Sequence, residues 1–308
     1  MTELAELSSR PGPPAELMRW VVAIDLRPHS HGAINFAAWL HQNDKTGQAA
    51  LEALHVIETR LFELPEAPSR AELLGRAKQA TIAALTARNA VDAFAHVDAI
   101  EGDDVIDTLA AAGALASTTG LIIGRRGAES DDRVIRLGKV ARRLLRRLES
   151  PVFVVPPDLE RAHIGAGPIV CAVDLDQHGV DVARFGERLG QAIGRQARLV
   201  HVVDKGDPIG IEYLPEITWT DLRDRARATG QAELNRWRDE AGLTAYTLLA
   251  QGQTVPKLIS AARELDACMI LCGSRRLNLA QRIWMSSIGS TLAAGAHLPV
   301  GVIPSARE

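Results

Sequence analysis

Short apolar runs alternate with longer amphipathic segments along the whole chain. In the first half, runs rich in Val, Ile and Leu predict strands near 20–25, 50–57, 92–100, 120–124 and 151–156. Apolar residues at helical spacing predict helices near 30–42, 66–89, 103–117 and 136–149. The strand segments do not alternate strictly between apolar and polar residues, which is typical of parallel strands covered on both faces. This order of elements indicates an α/β fold with right-handed crossovers.

The second half repeats this pattern, with strands predicted near 168–174, 197–203, 244–250, 267–272 and 299–304. Four segments recur in the same order and at a nearly constant separation: "RWVVAIDLRPHSHG" with "PIVCAVDLDQHG", "LEALHVIE" with "ARLVHVVD", "GLIIGRRG" with "CMILCGSRR", and "SPVFVVPP" with "LPVGVIPS". A repeat that takes up about half of the chain is a whole domain rather than one unit of a solenoid.

The repeat divides the chain into two predicted domains, residues 17–157 and 168–308. The linker between them, 158–167, is flanked and broken by Pro and Gly residues that interrupt any continuing element. Residues 1–16 are acidic, polar and proline-bearing, so we expect a disordered tail rather than a signal peptide.

Composition narrows the class of protein. The 308 residues are 46% hydrophobic and carry a net charge of −3, which does not favour nucleic acid as a partner. No apolar run reaches the ~18 residues that span a bilayer, so we expect a cytoplasmic protein without membrane attachment. Cys171, Cys268 and Cys272 are too few for a disulfide framework or a four-ligand zinc site and are expected in the core.

Candidate ligand-binding residues follow from the fold class. In a doubly wound sheet, ligands bind outside the carboxyl ends of the strands, where the strand order reverses. The residues that end the first, second and fourth strands of the two halves are Asp25, Val56, Gly124, Asp174, Val202 and Gly273. An aspartate at this place accepts hydrogen bonds from ribose hydroxyls, or it caps the following turn or helix. Both interpretations stay open at this point.

Several motifs are excluded. The first strand of each half is not followed by GxGxxG, and Gly138-Lys139 does not complete GxxxxGK[ST]. The chain has no GxSxG nucleophile elbow. His29 and His31 flank Ser30 without a clear third ligand, so no metal site is predicted.

The recurring segments resemble those of a tandem universal stress protein, over about residues 18–157 and 168–306. The resemblance implies two tandem doubly wound, Rossmann-like domains, each with a five-stranded parallel sheet of strand order 3-2-1-4-5, that associate through their fifth strands. Many members of this family bind ATP. The binders resemble one another in a G-x2-G-x9-G-[ST] loop after strand four, an aspartate that ends strand one, and a valine after the histidine of strand two.

The resemblance implies a first-half site with two departures from the family loop. Ten residues rather than nine separate Gly127 from Gly138, and Lys139 stands where the pattern has a hydroxyl residue. Lysine binds phosphate as a point charge on a longer stem. The residues carried over are Asp25, Val56, Gly124, Gly127, Gly138, Lys139 and Val140.

The second half keeps the spacing of nine but loses two glycines. Arg276 replaces the second glycine of the loop and Ser286 the third. A Cβ atom where the backbone must meet a phosphate blocks its approach. If only one half binds a nucleotide, we therefore expect the first. The second-half residues carried over are Asp174, Val202, Gly273, Arg276, Ser286, Ser287 and Ile288.

The fourth helix of the first half is strongly basic. Arg136, Lys139, Arg143 and Arg147 share one helical face, with Arg142 and Arg146 beside it, and the apolar side consists of Leu137, Val140, Leu144, Leu145 and Leu148. The charged face is either solvated surface or a docking face for an anionic ligand or partner. The matching segment of the second half, "SSIGSTLAAGAHL", has no such charge.

The resemblance implies a non-catalytic stress-response protein with ATP or a related adenine nucleotide bound in one half. Two alternatives remain at this stage. One is a protein-interaction module with degenerate pockets. The other is an adenylating enzyme of the related nucleotide-binding α/β group, although "DLRPHSHG" and "DLDQHG" do not resemble its serine- and glycine-rich phosphate loop. The expected partners are a nucleotide and the other half of the chain through strand five, and a homodimer is compatible with this arrangement.

Overall fold

A computed structural model describes residues 18–115, 118–126, 137–147, 149–203, 216–274 and 288–305, with the backbone alone for 216–223. The first half contains five strands: β1 Arg19–Ala23, β2 Ala50–Glu58, β3 Phe94–Gly102, β4 Thr118–Gly124 and β5 Val152–Val155. Its helices are α1 His31–Asn43, α2 Arg70–Thr86, α3 Val105–Gly113 and α4 Lys139–Arg146.

The second half has the same order of elements. Its strands are β6 Ile169–Ala172, β7 Ala197–Val203, β8 Tyr246–Gln251, β9 Met269–Ser274 and β10 Val300–Pro304. Its helices are α5 Gln177–Ile193, α6 Glu216–Glu240, α7 Thr254–Glu264 and α8 Ile288–Gly295. The alternation of strands and helices expected from the hydrophobic pattern is confirmed in both halves.

All ten strands belong to one sheet, in the order β3-β2-β1-β4-β5-β10-β9-β6-β7-β8. Within each half the neighbouring strands are parallel, and the order is 3-2-1-4-5 when the strands of that half are counted by themselves. The predicted α/β class is therefore confirmed. The two five-stranded sheets are continuous with each other instead of lying in separate layers.

The two halves meet at β5 and β10, which pair in the antiparallel sense. Phe153 lies opposite Gly301, and a Cβ atom on Gly301 would lie 2.7 Å from Cε1 of Phe153. The aromatic ring therefore fills the space that the glycine leaves open. Unpaired apolar edge strands invite aggregation, and this pairing covers both fifth strands.

The core has two layers, one on each face of the sheet. One layer contains residues of α1, α2, α5 and α6, and the other contains residues of α3, α4, α7 and α8. In the first layer, the ring centroid of Phe153 lies 5.1 Å from that of Trp20, 6.0 Å from that of Phe36 and 6.3 Å from that of Phe185. Because Phe185 belongs to the second half, this layer runs across the junction.

Some element ends differ from the sequence-based prediction. The helix predicted for 66–89 begins at Arg70, because the hydroxyl of Ser69 accepts a hydrogen bond from the backbone N–H of Glu72 and caps the helix. The strand predicted from residue 92 begins at Phe94, because a short 3-10 turn precedes it. The predicted tail of residues 1–16 lies outside the described residues.

The three cysteines are buried and form no disulfide, as the composition predicted. Burial raises the pKa of the Cys272 thiol to about 12, so this group stays protonated at neutral pH. Among the described helices, none combines the length and the apolar character needed to cross a membrane.

Candidate functional site

The order of strands reverses between β1 and β4 in the first half and between β6 and β9 in the second. These two pairs are the switch points at which a doubly wound sheet opens a crevice for ligands. Asp25 and Gly124 stand at the first crevice, and Asp174 and Gly273 stand at the second.

Asp25 takes part in a tight turn without using its whole carboxylate. Oδ1 accepts hydrogen bonds from the hydroxyl of Ser30 at 2.6 Å and from the backbone N–H of Arg27 at 2.9 Å. Oδ2 accepts no hydrogen bond from any described residue, and the side chain is exposed. The structure therefore shows the turn-forming role of Asp25 and leaves one oxygen available to a ligand.

A histidine on the second strand of each half ties that strand to the first. Nδ1 of His55 lies 2.7 Å from the carbonyl oxygen of Ile24, and Nδ1 of His201 lies 2.8 Å from that of Val173. Since a carbonyl only accepts, Nδ1 carries the proton in both rings. Each contact fixes the backbone immediately before Asp25 or Asp174. From the sequence, these histidines aligned the repeat and marked the valine that follows them, and their recurrence was a signal of this structural role.

Gly124 lies against the loop that follows β1. A Cβ atom at this position would lie 2.0 Å from the carbonyl oxygen of His29, which belongs to a 3-10 turn over Pro28–Ser30. Only glycine fits so close to a backbone atom. The end of β4 and the loop that contains Asp25 are thereby held together.

The start of α4 lies beside the same edge. A Cβ atom on Gly138 would lie 3.5 Å from Cβ of Arg126, two residues after Gly124. Gly138 is the N-cap of α4, so Lys139 is its first residue, and the lysine side chain is exposed. The structure thus brings Asp25, Gly124, Gly138 and Lys139 together at the carboxyl ends of the central strands β1 and β4.

The three valines of the candidate set are mainly core residues. Val56, Val140 and Val202 are partly buried and pack against the layer formed with α3, α4, α7 and α8. Their described contacts are with that layer. Gly127, the second glycine of the first-half loop, lies outside the described residues.

The second crevice differs because a histidine ring occupies it. A Cβ atom on Gly273 would lie 2.3 Å from Nε2 of His178. Both ring nitrogens of His178 are buried and have no hydrogen-bond partner among the described residues. In the first half, the equivalent residue His29 presents its backbone carbonyl instead. Sequence analysis missed His178, and the signal was the histidine shared by "DLRPH" and "DLDQH".

Few of the other second-half candidates can be placed. Asp174 is exposed, as is Ile288, the first residue of α8, with 44% of its surface accessible. Arg276, Ser286 and Ser287 lie outside the described residues, so their roles stay predictions.

Arg125 connects the first crevice to the second half. It follows Gly124, is only 6% exposed, and its Nη1 donates hydrogen bonds to the carbonyl oxygens of Ala293, at 3.3 Å, and Ala294. Both carbonyls belong to α8, which begins just after the second-half loop. Burial lowers the pKa of Arg125 and the nearby charge of Asp158 opposes this, but an arginine remains charged.

Arg125→Met is expected to destabilise the protein by about 2 kcal/mol, because charge-assisted hydrogen bonds to two carbonyls are lost. Urea denaturation followed by circular dichroism measures this change in the free energy of unfolding. Arg142→Met removes the same charge from an exposed position of α4 and serves as the control. Equal effects of the two substitutions would contradict the assigned contact.

Comparison with known proteins agrees with this architecture. The model of the universal stress protein family matches twice, over residues 17–156 and 166–304. Universal stress protein YxiE of Bacillus subtilis is 25% identical over 114 residues, which cover 36% of this chain and 74% of that protein.

Solved structures show the same fold over both halves. A universal stress protein from Archaeoglobus fulgidus aligns with a TM-score of 0.61 and 15% identity, covering 93% of this chain and 98% of that one. A functionally unknown protein from Pseudomonas aeruginosa also aligns with a TM-score of 0.61, at 14% identity, covering 97% of this chain and 94% of that one. Since the family model matches each repeat separately and the repeats share one strand order, the chain belongs to the universal stress protein family, with one family domain in each half.

Proposed function

We propose that the first half binds an adenine nucleotide, with ATP as the expected ligand, and that the protein is a non-catalytic stress-response protein. The observation that carries the proposal is the arrangement at the edge of the first-half sheet. There, Ser30 holds the carboxylate of Asp25, one oxygen of which accepts no hydrogen bond from the described residues. Gly124 lies against the backbone of His29, and Gly138 lies near Arg126. The exposed Lys139 follows Gly138 as the first residue of α4.

The two ends of a nucleotide match different parts of this arrangement. Oδ2 of Asp25 is an acceptor suited to a ribose hydroxyl. At the start of α4, backbone N–H groups without helical partners and the positive end of the helix dipole favour a phosphate. The ammonium group of Lys139 adds a positive charge at the same place.

The second half is less suited to a nucleotide. The ring of His178 lies against Gly273 in its crevice. In addition, α8 begins with Ile288 and contains no cationic residue, so the phosphate contact expected from Lys139 has no counterpart in that helix. These differences support the first half as the site.

Lys139→Ala is expected to weaken ATP binding about tenfold or more without unfolding the protein. A charge-assisted hydrogen bond contributes roughly 1.5–3 kcal/mol, and tenfold in affinity is about 1.4 kcal/mol. Isothermal titration calorimetry at fixed salt measures the affinity, and Arg142→Ala in the same helix is the control for loss of one exposed charge. Asp25→Ala is expected to weaken binding independently, because the ribose and phosphate contacts are separate.

A simpler measurement comes first. The purified protein is denatured, and released nucleotide is detected by absorbance and mass spectrometry. If no nucleotide is released and ATP produces no heat with the wild type, the first-half pocket has no nucleotide role. The interaction-module alternative would then replace this proposal.

We further propose that residues 17–157 and 168–308 act as two domains of one cytoplasmic unit that pair through their fifth strands. The support is the antiparallel register of β5 and β10 and the core layer that crosses the junction. The short linker holds the two halves at a high effective concentration. In this arrangement each half is the other's partner, and the outer edges of the sheet are β3 and β8.

A further inference from the structure

A charged cavity lies between α4 and the start of α3. Its volume is about 370 Å³. Three guanidinium groups, two carboxylates and one apolar side chain line it: Arg143, Arg146, Arg147, Asp104, Asp107 and Ile106. Sites for small molecules typically have volumes of about 300–1,000 Å³, so the cavity has room for a compact ligand.

Both carboxylates already have partners. Asp107 pairs with Arg147. Oδ1 of Asp104 accepts hydrogen bonds from the backbone N–H groups of Ile106 at 2.7 Å and Asp107 at 3.1 Å, which caps α3. The hydrogen bond from Asp107 lowers the pKa of Asp104, and the nearby charges of Arg143 and Lys139 add to this effect.

Two of the three arginine side chains have no ion-pair partner among the described residues. Arg143 and Arg146 form no ion pair or side-chain hydrogen bond with any described residue, and both are exposed. The cavity therefore presents two free guanidinium groups beside a third that one carboxylate already neutralises.

The positive charges on α4 repel one another and so destabilise this helix. Residues at i and i+4 are neighbours on a helix, and Lys139 with Arg143 and Arg142 with Arg146 are like-charge pairs at this spacing. No acidic residue lies within Lys139–Arg146 to offset them, although the whole chain has a net charge of −3. A bound anion would relieve this repulsion.

We propose that this cavity binds a small ligand that carries two adjacent phosphate groups, at a site separate from the nucleotide crevice. The guanidinium group matches phosphate geometry with two parallel N–H···O hydrogen bonds, and two free guanidinium groups can hold one phosphate each. The matching helix of the second half, α8, contains no arginine or lysine, so it has no equivalent set of cations.

The test uses inorganic pyrophosphate and the full-length protein. Calorimetric titration is performed with the wild type, the double variant Arg143→Gln/Arg146→Gln, and Arg142→Gln, which removes one charge of the same helix outside the cavity lining. We expect the double variant to bind pyrophosphate at least about tenfold more weakly, and Arg142→Gln to change the affinity by no more than about twofold. The unfolding midpoint of the double variant should equal or exceed that of the wild type, because repulsion within α4 is reduced.

The same proteins distinguish the source of the diphosphate. Because ADP can also occupy the nucleotide crevice, it is titrated into Asp25→Ala with and without the double substitution. A requirement for Arg143 and Arg146, with pyrophosphate or with ADP in this background, supports the site. Wild-type binding of pyrophosphate weaker than about 1 mM would overturn it. Pyrophosphate binding that disappears in Lys139→Ala and persists in the double variant would also overturn it, because the anion would then occupy the nucleotide crevice. Failure of ATP to bind at Asp25 leaves this test unaffected, so the two proposals fail independently.

Discussion

Phe153→Ala is expected to destabilise the folded protein by about 3–5 kcal/mol. The side chain is fully buried, and its ring contacts three other aromatic residues from both halves. It also fills the space over Gly301 across the β5–β10 junction. The alanine variant would leave a cavity in a layer that crosses the whole sheet, and neighbouring rings and strands can collapse into it only in part.

Chemical denaturation measures this loss, and the shape of the transition reports the coupling between the halves. The wild type is expected to unfold in one transition. The variant is expected to unfold in two transitions, one for each half. Phe94→Ala makes the same chemical change in β3, at the outer edge of the sheet. It should destabilise the first half without splitting the transition. A loss below about 1 kcal/mol for Phe153→Ala would show that the junction contributes little stability.

Gly124→Ala is expected to cost about 3 kcal/mol, the upper end of the range for overpacking, and to weaken ATP binding. The added methyl group would lie 2.0 Å from the carbonyl oxygen of His29, so the turn over Pro28–Ser30 must move. That turn includes Ser30, whose hydroxyl orients the carboxylate of Asp25. Stability and nucleotide binding should therefore decrease together.

Gly273→Ala is the matched control because it makes the same change in the second half. Its new methyl group would meet the imidazole of His178, a side chain that can rotate away, instead of the backbone. We expect a smaller loss of stability and unchanged ATP affinity. Denaturation and calorimetry of both variants provide the comparison. Equal costs at the two glycines would contradict the distinction between a backbone obstacle and a side-chain obstacle.

The second crevice suggests how the halves have diverged. His178 places a ring whose two buried nitrogens have no hydrogen-bond partner among the described residues where the first half presents the backbone carbonyl of His29. The uncompensated burial of polar atoms is unfavourable. Arg125 meanwhile links the first crevice to the helix that follows the second-half loop.

The sequence by itself determined the fold and the repeat. Apolar runs of strand length between amphipathic segments predicted every strand of the sheet to within a few residues, because burial on both faces of a parallel sheet is written into local hydrophobic periodicity. The repeated segments and the resemblance they carry led to the family and the strand order 3-2-1-4-5. The fourth helix of the first half was predicted for 136–149 and begins at Lys139, with Gly138 as its N-cap.

Only the tertiary structure decided what each candidate side chain touches. Oδ1 of Asp25 accepts two hydrogen bonds, whereas Oδ2 accepts none from the described residues. The ring of His178 lies in the second crevice, and Arg125 contacts α8, more than 160 positions further along the chain. The cavity beside Arg143 and Arg146 exists because α3 begins next to α4. Such contacts depend on how strands pair and how helices cross the sheet, and residues far apart in sequence carry no local periodicity that would reveal them.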